Sequence, residues 1–170
     1  MFTNKLISLC FSVVFYLNIH AQNNAIQGIG GSFFVLPKGK ALAINYSYRN
    51  NFKDVGNGNS ISLTIAPSVA FHYDFVSREQ FLIEAPILFS YNVGYMSTSS
   101  SKNDLGFFIG AGAGLHYLQH YGLGYGPEYF IGIRGELANK PIELRANYHQ
   151  DLFSVTSDLI SVHLNFLLTR

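Results

Sequence analysis

Charge is scarce in this chain. Only 12% of its residues are Asp, Glu, Lys or Arg, about half the share usual in soluble domains. The two signs nearly cancel, with 11 basic residues against 10 acidic ones. No basic run is present, which excludes the electrostatic footprint of a nucleic-acid-binding protein. Cysteine occurs once, as Cys10, inside an N-terminal apolar stretch. The remainder therefore has no disulfide framework and no thiolate metal site. After that stretch no long apolar run follows, so no transmembrane helix is expected. Also lacking are a helical pattern, a repeat of solenoid period and a linker dividing the chain.

The N-terminal stretch reads as a secretory signal peptide over residues 1–21. Lys5 gives the positive start, Leu6 to Ile19 the apolar core, and Ala21 the small residue before a cut at Gln22. That core is too short for a membrane-spanning helix, which needs about 20 residues. Residues 22–170 are then one domain of about 150 residues.

What the chain does have is aromatics and glycine, with 15 Phe, 11 Tyr and 16 Gly, laid out with a period of two. In Ile61 to Phe75, ISLTIAPSVAFHYDF, every odd position is apolar or aromatic and every even one small or polar. Such alternation is a strand with one face in an apolar medium and one in a polar medium. At roughly 3.3 Å per residue it is about 50 Å long, enough to cross a bilayer when tilted. Seven further strands follow the same rule: Ile26 to Leu36, Ala41 to Arg49, Phe81 to Met96, Leu105 to Leu118, Glu128 to Leu137, Ile142 to Gln150 and Leu159 to Thr169. The segments Asn50 to Ser60, Ser97 to Asp104 and Gln119 to Pro127 read as polar or glycine-rich connections. Pro37 to Lys40, Val76 to Gln80 and Ala138 to Pro141 read as shorter turns. The expected fold is all-β: an eight-stranded antiparallel transmembrane β-barrel, closed and without exposed edges.

A soluble barrel alternates too, so the polar face decides between them. A soluble barrel solvates that face with Lys and Glu and fills its interior from the apolar one. Here the polar face is mostly Gly, Ala, Ser, Thr and Asn, and the other is bulky and nearly free of charge. Small residues suit a narrow lumen, and lipid tolerates bulk. Tyr46, Tyr48, Tyr73, Tyr91, Tyr95, Tyr117, Tyr129 and Tyr148 fall on the outward face, as an interfacial aromatic girdle would. In the strand Leu105 to Leu118 the inner face carries Gly106, Gly110, Gly112 and Gly114. Small inward residues opposite large ones would fit a narrow barrel. The run lacks a following helix and is no nucleotide loop.

The segments FLIEAPILFSYNVGY, GFFIGAGAGLHY and GPEYFIGIRGELANKPIELRANY, after a signal ending HAQ, resemble the small eight-stranded outer-membrane β-barrel proteins of Gram-negative bacteria. The resemblance implies location in the outer membrane, contact with its lipid, and the barrel-insertion machinery as a partner during biogenesis. Two features depart from it. The chain ends Leu167-Leu168-Thr169-Arg170 where such barrels often end on an aromatic residue, and its long connections follow strands two and four. With the N-terminus in the periplasm those connections would be periplasmic turns, which are normally short.

By parity the lumen receives Arg49, His72, Asp74, Glu84, His116, Glu128, Arg134, Glu136, Glu143, Arg145, His149 and His163. Isolated charges there are costly, so Glu84, Arg134, Glu136, Glu143 and Arg145 are expected to form an ion-pair network plugging the barrel. Catalysis would require a nucleophile, a base and an orienting acid to converge. The sets available are His149 with Asp151 or His72 with Asp74, joined by Ser154 or Ser90. No short His–Ser signature of lipid A deacylases is visible. The histidines show no metal-ligand spacing, and no cofactor or catalytic residue is assigned. The leading expectation is a non-enzymatic outer-membrane barrel, structural or interacting through its loops. The alternatives are a lipid-modifying hydrolase or acyltransferase of the outer membrane, and a secreted soluble barrel carrying an apolar ligand.

Overall fold

The computed structural model describes residues 25–36, 39–73, 79–98, 101, 103–119, 121–152 and 158–168. The proposed signal segment lies outside them. Among the described residues there are nine strands: β1 Ala25–Leu36, β2 Gly39–Gly56, β3 Asn59–Ile65, β4 Ser68–Tyr73, β5 Glu79–Gly94, β6 Gly106–Leu118, β7 Gly122–Leu137, β8 Lys140–His149 and β9 Leu159–Leu168. All pair antiparallel with their neighbours, and β1 also pairs β9, from Gln27 with Leu168 to Val35 with Ile160. That ladder closes the sheet into a ring.

The ring has eight walls because β3 and β4 are two halves of one. Both lie between β2 and β5, interrupted at Ala66-Pro67. Pro67 has no N–H to give the ladder, yet its carbonyl accepts from Tyr46 N at 3.0 Å, while Ala66 N donates to Pro86 O at 3.3 Å. The wall is therefore continuous across the break. An even number of walls brings both ends of the described chain to one mouth, here called the terminal mouth.

The alternation sorts side chains as expected for a barrel in lipid. Leu42, Ile44 and Phe71 are 71%, 72% and 76% exposed on the outer wall, whereas Ser62, Asn92 and Glu128 are fully buried inside. The apolar face is outside. An apolar-lined carrier interior, as a soluble barrel needs, is the inverse of this arrangement.

Several boundaries differ from the sequence reading, three of them with consequences for the mouths. Asn50 to Ser60 is not a long loop: β2 runs on to Gly56 and turns through Asn57 and Gly58, whose φ angles are 54° and 73°. Register shifts after Asn51 and Asp54 insert bulged residues that break the alternation, and residues 52–56 are exposed beyond the wall. The long connection after strand two is thus a tight hairpin overhanging the terminal mouth. Gln119 to Pro127 is also mostly strand, since β7 begins at Gly122 and pairs β6 from Leu118. Finally, β5 stops at Gly94, whose φ is 77°.

The β7–β8 hairpin turns through Ala138 and Asn139, at φ 51° and 62°. Successive left-handed residues form the turn that matches strand twist, and Asn suits it while Ala does not. Replacing Ala138 by Asn is expected to raise stability by about 1 kcal/mol, read as a higher urea midpoint of the detergent-folded barrel.

Candidate functional site

Glycines decide where large groups fit in the lumen. A Cβ on Gly132 would meet the Phe108 ring and Leu144 O, and one on Gly110 would meet the Phe130 ring. On Gly114 it would lie 2.6 Å from both Glu128 Oε2 and His149 Nδ1, and on Gly124 it would strike His116 Nε2. Phe108, Phe130, Glu128, His149 and His116 therefore occupy room that glycines leave.

At the terminal mouth Arg134, from β7, is the centre of a buried network. Its Nε donates to Glu143 Oε2 at 2.8 Å and its Nη2 to Asn92 Oδ1 at 2.8 Å. Register explains the first bond, since Arg134 and Glu143 are direct partners across β7 and β8. Arg49 approaches the same carboxylate oxygen at 3.5 Å and donates from Nη2 to Met96 O at 3.0 Å. Asn92 in turn donates to Ser62 Oγ at 2.9 Å, and Ser62 and Ser90 hydroxyls share a bond of 2.6 Å. The turn after β5 folds onto this mouth, with Ser97 buried and bonded to Gly94 O and Gly58 O.

Nearer the other mouth lies a second polar group. The His116 and His149 rings meet edge to face, 4.5 Å between centroids. His116 Nε2 is 3.8 Å from Asp151 Oδ2, and His149 Nδ1 is 3.8 Å from Glu128 Oε2. Asn147 donates to Glu128 Oε1. Glu84, the ladder partner of His116, and Arg145 are both 1% exposed. His163 lies between Ser32 Oγ, at 2.6 Å from Nδ1, and Ser161 Oγ, at 2.8 Å from Nε2.

The five residues expected to form one network are thus distributed over three places. Arg134 and Glu143 bond directly. Glu84 and Arg145 are buried in the lumen, and among the described residues neither is within ion-pair distance of an opposite charge. Glu136 is exposed at the terminal rim and accepts from Tyr95 OH at 2.8 Å. Parity points Glu136 inward, but β7 has by then left the barrel, and both its faces meet solvent. Partial burial, then the bond to Glu136, push the Tyr95 hydroxyl up to about 12. Arg49 takes the place in the network that the reading gave to Glu136.

Of the candidate catalytic sets, Ser90 sits in the terminal-mouth network, away from His149. Asp74 and Ser154 lie outside the described residues, as does the side chain of His72. Among the described residues no Ser, His and carboxylate are joined in one hydrogen-bonded set, and no three His, Cys, Asp or Glu side chains are placed to hold a metal ion. The outer wall carries an apolar depression of about 540 Å³, bordered by Tyr91, Val93, Ile109, Ile131 and Ala146.

No family model and no curated protein matches the chain. Solved structures do. The attachment invasion locus protein Ail of Yersinia pestis superimposes with a TM-score of 0.55 at 12% identity, over 85% of this chain and 96% of that one. The outer membrane enzyme PagL gives 0.56 at 11% identity, over 86% and 99%. Neisserial surface protein A gives 0.51 at 12% identity, over 84% and 93%. These are small eight-stranded outer-membrane β-barrels. The fold of this chain is theirs, and its apolar outer wall suits the same location, the outer membrane.

Removing one partner from the terminal-mouth network strands buried charge. Glu143→Ala leaves Arg134 and Arg49 uncompensated and is expected to cost about 3–5 kcal/mol, whereas Glu136→Ala, at the exposed rim, costs under about 1 kcal/mol. Equilibrium unfolding of the two detergent-folded variants checks the difference.

Proposed function

We propose that the protein is a non-enzymatic integral outer-membrane barrel whose role is structural or is exerted through its loops. The observation that carries this reading is where the imidazoles of the described residues lie. His116, His149 and His163 all point into a filled lumen and are 0–1% exposed. An enzyme acting on membrane lipid needs its base on the lipid-facing wall or at an open rim, within hydrogen-bond reach of a nucleophile. The outer wall of the described strands carries apolar and aromatic groups instead. A lumen filled by its own side chains also argues against a transport role. Its proposed partners are outer-membrane lipid and, during biogenesis, the barrel-insertion machinery.

A second reading is a lipid-modifying hydrolase or acyltransferase. Two observations favour it: one structural neighbour is described as an outer membrane enzyme, and two His–carboxylate pairs stand side by side near one mouth. The test is to incubate the detergent-folded barrel with outer-membrane lipid and follow fatty-acid release or acyl exchange by mass spectrometry. No turnover is expected. Turnover abolished by His116→Ala or His149→Ala would replace the first reading with the second.

A further inference from the structure

The hairpin overhanging the terminal mouth carries the one Asn-Gly pair of the sequence, Asn57-Gly58. With glycine next, the following peptide nitrogen can reach the Asn amide carbon, because no side chain crowds the approach. The surroundings leave that approach open. Asn57 is exposed, and a Cβ placed on Gly58 would meet no heavy atom within 4 Å. Both residues lie between the paired positions Gly56 and Asn59, and so outside the ladder. On its other edge β2 pairs β1 only as far as Asn50 with Ala25 among the described residues, and register shifts follow Asn51 and Asp54. A hairpin tip paired on one side and bulged twice opens locally at little cost, which frees Asn57 from its left-handed turn conformation. Other asparagines lack one or more of these features. Asn45, Asn92, Asn147 and Asn165 are 0–3% exposed, while Asn139, exposed in a similar turn, precedes Lys140.

We propose that Asn57 is a site of spontaneous amide-to-acid conversion. The Gly58 nitrogen gives up its proton and bonds to Asn57 Cγ, closing a cyclic imide, and ammonia leaves carrying that proton. Solvent water then opens the ring at either carbonyl, giving aspartate or isoaspartate at position 57. The aspartate product keeps the main chain and adds a carboxylate to the hairpin that already carries Asp54. Isoaspartate also lengthens the main chain by one carbon inside a two-residue turn. That moves Gly58 O away from Ser97, whose hydroxyl donates to it. The bond ties the hairpin to the turn after β5, which in turn accepts from Arg49 at Met96 O.

The test is to incubate the detergent-folded barrel at neutral pH in heavy-oxygen water and map its peptides by mass spectrometry. Conversion with uptake of solvent oxygen is expected at Asn57, while Asn139 stays intact. Gly58→Asn, which the left-handed turn tolerates, slows it, and Lys140→Gly switches it on at Asn139. An isoaspartyl methyltransferase identifies the isoaspartate form. That form is expected to lose its folded gel mobility at a lower temperature than the unmodified barrel, whereas Asn57→Asp matches the unmodified one. An Asn57 that stays intact in the folded barrel while the unfolded chain converts overturns the proposal. So does conversion of Asn139 at the same rate, or an isoaspartate form as heat-resistant as Asn57→Asp.

Discussion

Backbone hydrogen bonding in a medium without water is the constraint on which the rest of this structure depends. Inside a bilayer an unpaired N–H or C=O costs several kcal/mol, so a sheet can cross only if its first and last strands meet. Here they meet in nine consecutive residue pairs between β1 and β9. Pairing on both sides also explains the tolerance of Pro67 in the wall: its own carbonyl is bonded to β2 and the Ala66 N–H to β5. Once the sheet is closed, alternation leaves each residue one of two environments, lipid or lumen.

A closed ring of eight strands has little room inside, and the lumen is solved as a set of paired volumes. Gly110, Gly114, Gly124 and Gly132 are absent side chains as much as residues, each making a place for a ring or an ionisable group. The resulting interior holds an Arg–Glu–Asn network at the terminal mouth, a cluster of Leu88, Phe108 and Phe130 on β5 to β7 beside it, and a His–carboxylate group and a leucine-rich cluster towards the other mouth. Burying charge in this way is costly unless geometry is good. Arg134 has that geometry, with a carboxylate, an amide and a ring face. The buried arginine Arg145 has no carboxylate at ion-pair distance among the described residues, and so is the less well compensated of the two.

The sequence displays the wall strands clearly because lipid and lumen impose opposite demands on neighbouring residues. GFFIGAGAGLHY is strand β6 almost residue for residue, and two of its glycines, Gly110 and Gly114, do face bulky inward partners. Legibility fails where those two environments end. NNFKDVG extends β2 past the barrel into solvent, where bulges replace alternation, so polarity there reads as loop. Glu136 has the parity of a lumen residue, but parity does not say where the lumen stops. Register is the other hidden quantity. Arg134 and Glu143 were both visible as inward residues, while the arrival of Arg49 at the same carboxylate depends on ladders that no local pattern encodes. The separation of Ser90 from His149 is hidden for the same reason.

The central claim is a closed barrel with its apolar face in lipid. The most direct measurement is the gel mobility of detergent-extracted envelope protein, with and without boiling. The structure predicts recovery in the outer-membrane fraction and a band that changes mobility on heating, because the nine-pair β1–β9 ladder and the filled lumen resist detergent until heated. A protein found in the soluble fraction, with the same mobility before and after boiling, would contradict it and turn the two faces of the sheet inside out.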